Sequence, residues 1–227
     1  MKAKPLGVPA DVAAIRKCIS EFFKQKTEAG LTIGSYYGVY VFFDYDGEPI
    51  YVGQSLEGLG ARVGRHMTNQ RTDAVAMNVL DPFEVAWIEV YPLYHKSLVL
   101  PERKEMERQL NALEYTVFQK VLRESALNAV LNEKNVAKTD LVTLPVPYRG
   151  CIVPEELFES RKHPDIRIAR RANTIARLAQ VISERDVNPG LRKTLLTQAR
   201  RLQKLADERF APFSSQVPTV SGDEEDV

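Results

Sequence analysis

The sequence predicts an α+β fold followed by a helical region of different character. Three observations carry this. Two runs of aromatic and β-branched residues flank Asp46-Gly47, the signature of a β-hairpin. A further strand-like run, FEVAWIEVYPL at 83–93, is followed by a long stretch with apolar residues at helical spacing. Beyond a Pro- and Gly-containing stretch at 138–153, only helical periodicity remains.

Taken in order, ADVAAIRKCISEFFKQKT at 10–27 places Val12, Ile15, Ile19, Phe22 and Phe23 at helical spacing and predicts an N-terminal helix. Strands are expected at about 36–44 and 49–54, with the turn at Asp46-Gly47. A short helix over about 57–69 has Leu59, Val63 and Met67 as its apolar stripe; Gly58, Gly60 and Gly64 weaken it, so tertiary packing must hold it. Residues 70–81 read as an irregular polar connection and 83–93 as a third strand. Pro101-Glu102 opens a helix running to about Arg123, with proline tolerated near the first turn. A short helical turn is expected over 125–131 and a linker over 138–153. Helices at about 165–185 and 190–209 are split by Asn188-Pro189-Gly190. From Pro212 onward the chain is polar and then acidic, the composition of a disordered tail.

The 227 residues, 44% hydrophobic and 27% charged, describe a globular protein with a core of ordinary size. No run approaches the roughly 18 apolar residues of a membrane helix, and no signal-peptide pattern opens the chain. Cys18 and Cys151, far apart, form neither a disulfide scaffold nor a zinc motif, and a reducing cytoplasm is the expected compartment. Net charge is only +1, yet residues 161–209 hold thirteen Lys/Arg against five Asp/Glu, a net of +8, and the last eighteen residues carry −4.

The hairpin holds Gly38-Val39-Tyr40 and, ten residues on, Tyr51-Val52-Gly53. Side-chain alternation puts Gly38, Tyr40 and Phe42 on one face, and Tyr51 and Gly53 together on one face. The glycines would let a ligand or another backbone approach beside the phenols, although aromatic hairpins containing glycine are common in plain cores. Arg62 and His66 stand at i and i+4 beside the Leu59/Val63/Met67 stripe, either as solvated charge or as working groups; Arg65 points elsewhere and reads as surface. Glu114 lies within an apolar stripe of Leu110, Leu113, Val117, Phe118, Val121 and Leu122. A carboxylate there must either meet a cation or sit at the rim of the buried face.

These residues in this order resemble the GIY-YIG nuclease family: Gly38-Val39-Tyr40, Tyr51-Val52-Gly53, Leu59 with Arg62 and His66, then Leu113-Glu114 on a later helix. The resemblance covers about residues 34–135. It implies a small three-stranded antiparallel sheet flanked by helices, and hydrolysis of DNA phosphodiester bonds with one divalent metal, Mg²⁺ or Mn²⁺. It implies Glu114 as metal ligand, Arg62 as the cation facing the phosphate, and Tyr51 orienting the water or a phosphate oxygen. Tyr40 and His66 share the general-base role: a phenol's ordinary pKa of about 10 would have to fall, or His66 would have to relay the proton. Val39 and Val52 replace the family's isoleucines, and Gln54 stands where many members carry lysine and is a candidate phosphate contact. Asn132 is the preferred match to the family's final asparagine, with Asn128 the alternative.

The expected organisation is an N-terminal helical segment (1–33), a catalytic domain (34–137), a linker (138–153), a basic α-helical extension (154–211) and an acidic tail (212–227). Arg170, Arg171, Arg177, Arg200 and Arg201 are candidate DNA-backbone contacts on the extension, with the opposing reading of a solvated face. A nucleic-acid-binding module that does not cut is the alternative function. One active site makes one nick, so a double-strand break would call for a homodimer or two visits.

Overall fold

The computed structural model describes residues 9–67, 79–132 and 136–216. Most of the expected 70–81 connection and the acidic residues Asp223 to Asp226 lie outside them. The fold is α+β. Helix α1 (Ala10–Lys24) precedes the hairpin β1 (Tyr36–Phe43) and β2 (Pro49–Ser55). Then come α2 (Leu59–Met67), β3 (Trp87–His95), α3 (Arg103–Glu124), β4 (Tyr148–Cys151), α4 (Glu155–Lys162), α5 (Pro164–Glu184) and α6 (Pro189–Phe210).

The sheet has four antiparallel strands in the order β2-β1-β3-β4, one more than the three expected. The added strand comes from the stretch read as linker. Tyr148-Arg149-Gly150-Cys151 pairs with β3 through Trp87↔Cys151 and Val90↔Tyr148. Two further differences are local. The third strand starts at Trp87 because Pro82–Glu84 forms a 3-10 turn, with Asp81 accepting from Phe83 N at 2.9 Å. At the other end of the chain, Ala211–Gln216 is helical rather than the start of a tail.

The sheet is covered on both faces. One carries Tyr40, Phe42, Ile88 and Val90, packed with Ile19, Phe22 and Phe23 of α1, Leu59 and Val63 of α2, and Leu178 and Leu191 of α5 and α6. The other carries Val39, Val41, Phe43, Val52 and Tyr91 against Leu113, Val117 and Val121 of α3. Strand β1 is buried on both faces and reads as a near-continuous apolar run for that reason.

Asp44 ties the hairpin to the C-terminal helices. Its Oδ1 accepts from Asp46 N and Glu48 N, each at 3.0 Å, and closes the turn. Its Oδ2 accepts from Arg167 at 3.1 Å, Arg171 at 3.1 Å and Arg201 at 2.6 Å. Arg171 also donates to Glu84 at 2.8 Å, and Arg201 reaches Pro49 O at 3.3 Å. Burial pushes the Glu84 carboxyl's pKa up against the pull of Arg171 and Arg167. Much of the basic surplus of the extension therefore faces inward.

Candidate active site

The hairpin register brings the two tripeptides together. Tyr40 pairs with Gly53 and Phe42 with Tyr51, so both phenols stand on the face covered by α2. Their rings lie 6.2 Å apart, centroid to centroid. His66 projects from α2 against both. Its ring is 5.1 Å from that of Tyr51, and its Nδ1 hydrogen-bonds the Tyr40 hydroxyl at 3.0 Å. His66 is buried, and Tyr40 has no exposed surface.

Of the causes left open by the sequence, the close approach of a ligand or of another part of the chain, the glycines show the second. A Cβ at Gly53 would lie 2.6 Å from both Cζ and the hydroxyl of Tyr40 and 2.8 Å from Tyr51 Cε1. The Tyr40 ring itself occupies that space. A Cβ at Gly38 would lie 2.3 Å from Tyr91 O, where the β1–β3 register shifts between Tyr37 and Gly38. Each glycine lets a neighbour come close, and the Tyr40 hydroxyl is thereby held beside β2.

Arg62 and Glu114 approach from opposite faces. Arg62 is on α2, on the tyrosine side; Glu114 is on α3, whose apolar stripe packs on the far side. Glu114 is half-buried, and no hydrogen bond reaches it among the described residues. Burial pushes its carboxyl pKa up to about 7, with the Arg62 charge pulling the other way. The Arg62 charge thus reaches Glu114 although the two helices pack on different faces of the sheet, of which β2 is the outermost strand. The buried Nε of Arg62 has no hydrogen-bond partner. The phenols lie in the layer under α2, and Glu114 comes from α3, which packs on the other layer.

The outer edge of β2 is defined by two amides. Asn132 Nδ2 donates to Val52 O at 2.8 Å, and its Oδ1 accepts from Val52 N at 3.1 Å. Leu131 N donates to Ile50 O at 2.7 Å. Asn132 therefore continues the ladder beside Tyr51 and Gly53. Asn128 is exposed, at φ 47° in the turn after α3. One step further along β2, Gln54 donates to Asn111 Oδ1 at 2.8 Å while its own Oε1 is buried without a partner. Asn111 was missed from sequence. It sits one turn before Glu114, and that i, i+3 spacing was the available signal.

Arg65 pairs with Glu57, as a surface residue should. On the extension, Arg171 and Arg201 are buried against Asp44 and Glu84 and cannot reach a DNA backbone as expected. Arg170 forms a two-pronged pair with Asp81 at 2.8 and 2.9 Å and stacks on Phe83. Arg177 and Arg200 remain exposed.

A buried phenol–imidazole pair thus stands on one face of a small α+β sheet, with a guanidinium on α2 and a half-buried carboxyl on α3. Residues 36–120 match the family model of the GIY-YIG catalytic domain, which supports the nuclease superfamily that the sequence resembles. No curated protein and no solved structure matches the chain. Among the described residues, no helix is long and apolar enough to cross a membrane.

Proposed function

We propose that this protein is an endonuclease that hydrolyses DNA phosphodiester bonds with one divalent cation, Mg²⁺ or Mn²⁺. The observation that carries the reading is Glu114: a half-buried carboxyl with no hydrogen bond among the described residues, its pKa pushed up to about 7 by burial against the pull of the Arg62 charge. The donor set suits such an ion. No group of three His, Cys, Asp or Glu exists among the described residues to form a closed cage. A single carboxylate fits a cation that keeps its waters and takes phosphate oxygens as its other ligands. When bound, that cation polarises the phosphate and stabilises the leaving oxygen.

The chain's own groups do the rest. Arg62 faces the phosphate and offsets the charge that develops on its oxygens. Tyr40 and His66 form the proton acceptor. Tyr40 has no exposure, whereas His66 retains 7%, so His66 is the member that exchanges a proton with the attacking water. Tyr40 holds its ring through the 3.0 Å bond to Nδ1. Tyr51, half-exposed beside His66, orients the water or a phosphate oxygen. The water oxygen forms a bond to phosphorus as the ester P–O bond breaks, giving a phosphomonoester and a hydroxyl. Asn132 acts through Val52 and is a positioning residue. Gln54, Arg177 and Arg200 are the remaining candidate backbone contacts.

The test is relaxation of supercoiled plasmid with and without Mg²⁺, comparing the parent with Glu114→Ala and Arg62→Ala. Nicking that needs the metal and disappears in both folded variants supports the proposal. Undiminished nicking by Glu114→Ala would overturn it. DNA binding without any cleavage by the parent would identify a non-cutting module.

A further inference from the structure

A cavity of about 350 Å³ lies between α1, α5 and the turn before β3, away from the phenols. Its volume is at the low end of the range for ligand pockets, about 300–1,000 Å³, and suits one nucleotide-sized molecule. Part of its wall is apolar, from Ile15, Ile19, Met67 and Leu80. The rest is cationic. Phe83 is sandwiched between two guanidiniums, Arg161 at 3.9 Å and Arg170 at 3.7 Å from the ring centroid.

The charges do not balance. Arg170 is matched by Asp81. The Arg161 side chain is only 10% exposed; its buried Nη2 is paired with Asp11 at a long 3.7 Å and makes no hydrogen bond among the described residues. Arg16 and Arg177 line the same cavity, are exposed, and have no ion pair among the described residues. A nearly buried guanidinium without a hydrogen bond at one nitrogen, inside a half-apolar cavity with two further cations, calls for an anion that carries a flat apolar body. Guanidinium planes also serve as stacking surfaces for bases.

We infer that this cavity binds a nucleotide, its phosphate at Arg161, Arg16 and Arg177 and its base against the apolar wall. Met67 follows His66 on α2, so one helix supplies a residue to the cavity and to the candidate active site. Resting on the nuclease reading above, the nucleotide belongs to the DNA that flanks the cut. A free mononucleotide offers the same chemistry.

The experiment uses the full chain as Glu114→Gln, so that DNA stays intact. Binding of dTMP is followed by the NMR shift of the Met67 methyl, with inorganic phosphate as control, and binding of a short single-stranded oligonucleotide by fluorescence anisotropy. Arg161→Gln is expected to weaken binding about tenfold or more, as loss of a charge-assisted hydrogen bond does. The surface pair Arg16→Gln/Arg177→Gln, which leaves the core untouched, keeps the test valid if Arg161→Gln fails to fold. A dTMP-induced shift that is lost in these variants supports the pocket. So does weakened oligonucleotide binding without any dTMP response, which places the nucleotide only within DNA. Unchanged oligonucleotide affinity in the variants, together with no dTMP response in the parent, overturns it. If the pocket binds while the parent never cleaves DNA, the nuclease reading fails and the pocket stands.

Discussion

Replacing Asp44 should remove much of the molecule's stability margin, and its two oxygens allow the cause to be separated. Asp44 is 2% exposed, with three guanidiniums on Oδ2 and two hairpin N–H groups on Oδ1. Removing one member of a buried ion pair costs about 3–5 kcal/mol, because its partners stay buried without compensation. Here the other carboxylates within reach are already engaged, Asp46 by Arg167 at 2.6 Å and Glu84 by Arg171 at 2.8 Å. Asp44→Asn keeps an acceptor for the turn and removes the charge, so it should cost about 3 kcal/mol. Asp44→Ala also leaves the Asp46 and Glu48 N–H groups without acceptors, adding about 1–3 kcal/mol. Against a total stability of about 5–15 kcal/mol, either loss is large. Equilibrium urea unfolding of the full chain reads both. A cost below about 1 kcal/mol for Asp44→Asn would refute the idea that these helices are held by this carboxylate.

The remaining expectations concern the site. Glu114 has a folded-state pKa of about 7 against an ordinary 4.5, so the folded state holds the extra proton. The associated stability is full below about pH 4.5 and is lost as pH rises through about 7, at most about 3 kcal/mol. Glu114→Gln should flatten that part of the pH profile, and Mg²⁺ at pH 8 should raise the melting temperature of the parent but not of the variant. A Gln variant with the parent's profile would place the titration elsewhere. Gly53→Ala puts a methyl 2.6 Å from the Tyr40 hydroxyl, and should cost about 1–3 kcal/mol and displace the ring, read by urea unfolding and by loss of nicking. Asn132→Ala removes both bonds to Val52, and should speed hydrogen exchange at the Val52 amide and lower the nicking rate; unaltered exchange would show that the edge holds without it.

The parts of the fold visible in the sequence were those set by local rules. Alternation around Asp46-Gly47 defined the hairpin, and its register then fixed which face the tyrosines share. Glu114 stood out as a carboxylate in an apolar stripe, and the structure shows why: the helix buries that stripe and leaves its carboxyl half-buried. What escaped was non-local. Strand β4 has only four residues beside prolines, and pairs because β3 presents an open edge. Arg171 and Arg201 read as candidate DNA-backbone contacts because their partner, Asp44, lies more than a hundred residues away, and a helical charge pattern does not record which cations will be buried. The sharing of Val52 by Asn132 had no local signal either, since side-chain amides cap helices and turns far more often than they extend a sheet.

The matched segment ends at residue 120, yet the hairpin that carries both tyrosines is bounded by later parts of the chain. Its turn is held by Arg167, Arg171 and Arg201 through Asp44, and by the end of α3 through Glu48, which accepts from Ser125 Oγ at 2.5 Å and Ala126 N at 3.1 Å. The outer edge of β2 is covered at Ile50 and Val52 by Leu131 and Asn132, while Gln54 leans on Asn111 instead. Two kinds of constraint therefore act on one short element: buried charge at the turn and hydrogen bonds along the edge. A strand fixed at its turn and along its outer edge suits a site that must hold His66 and the phenols rigid.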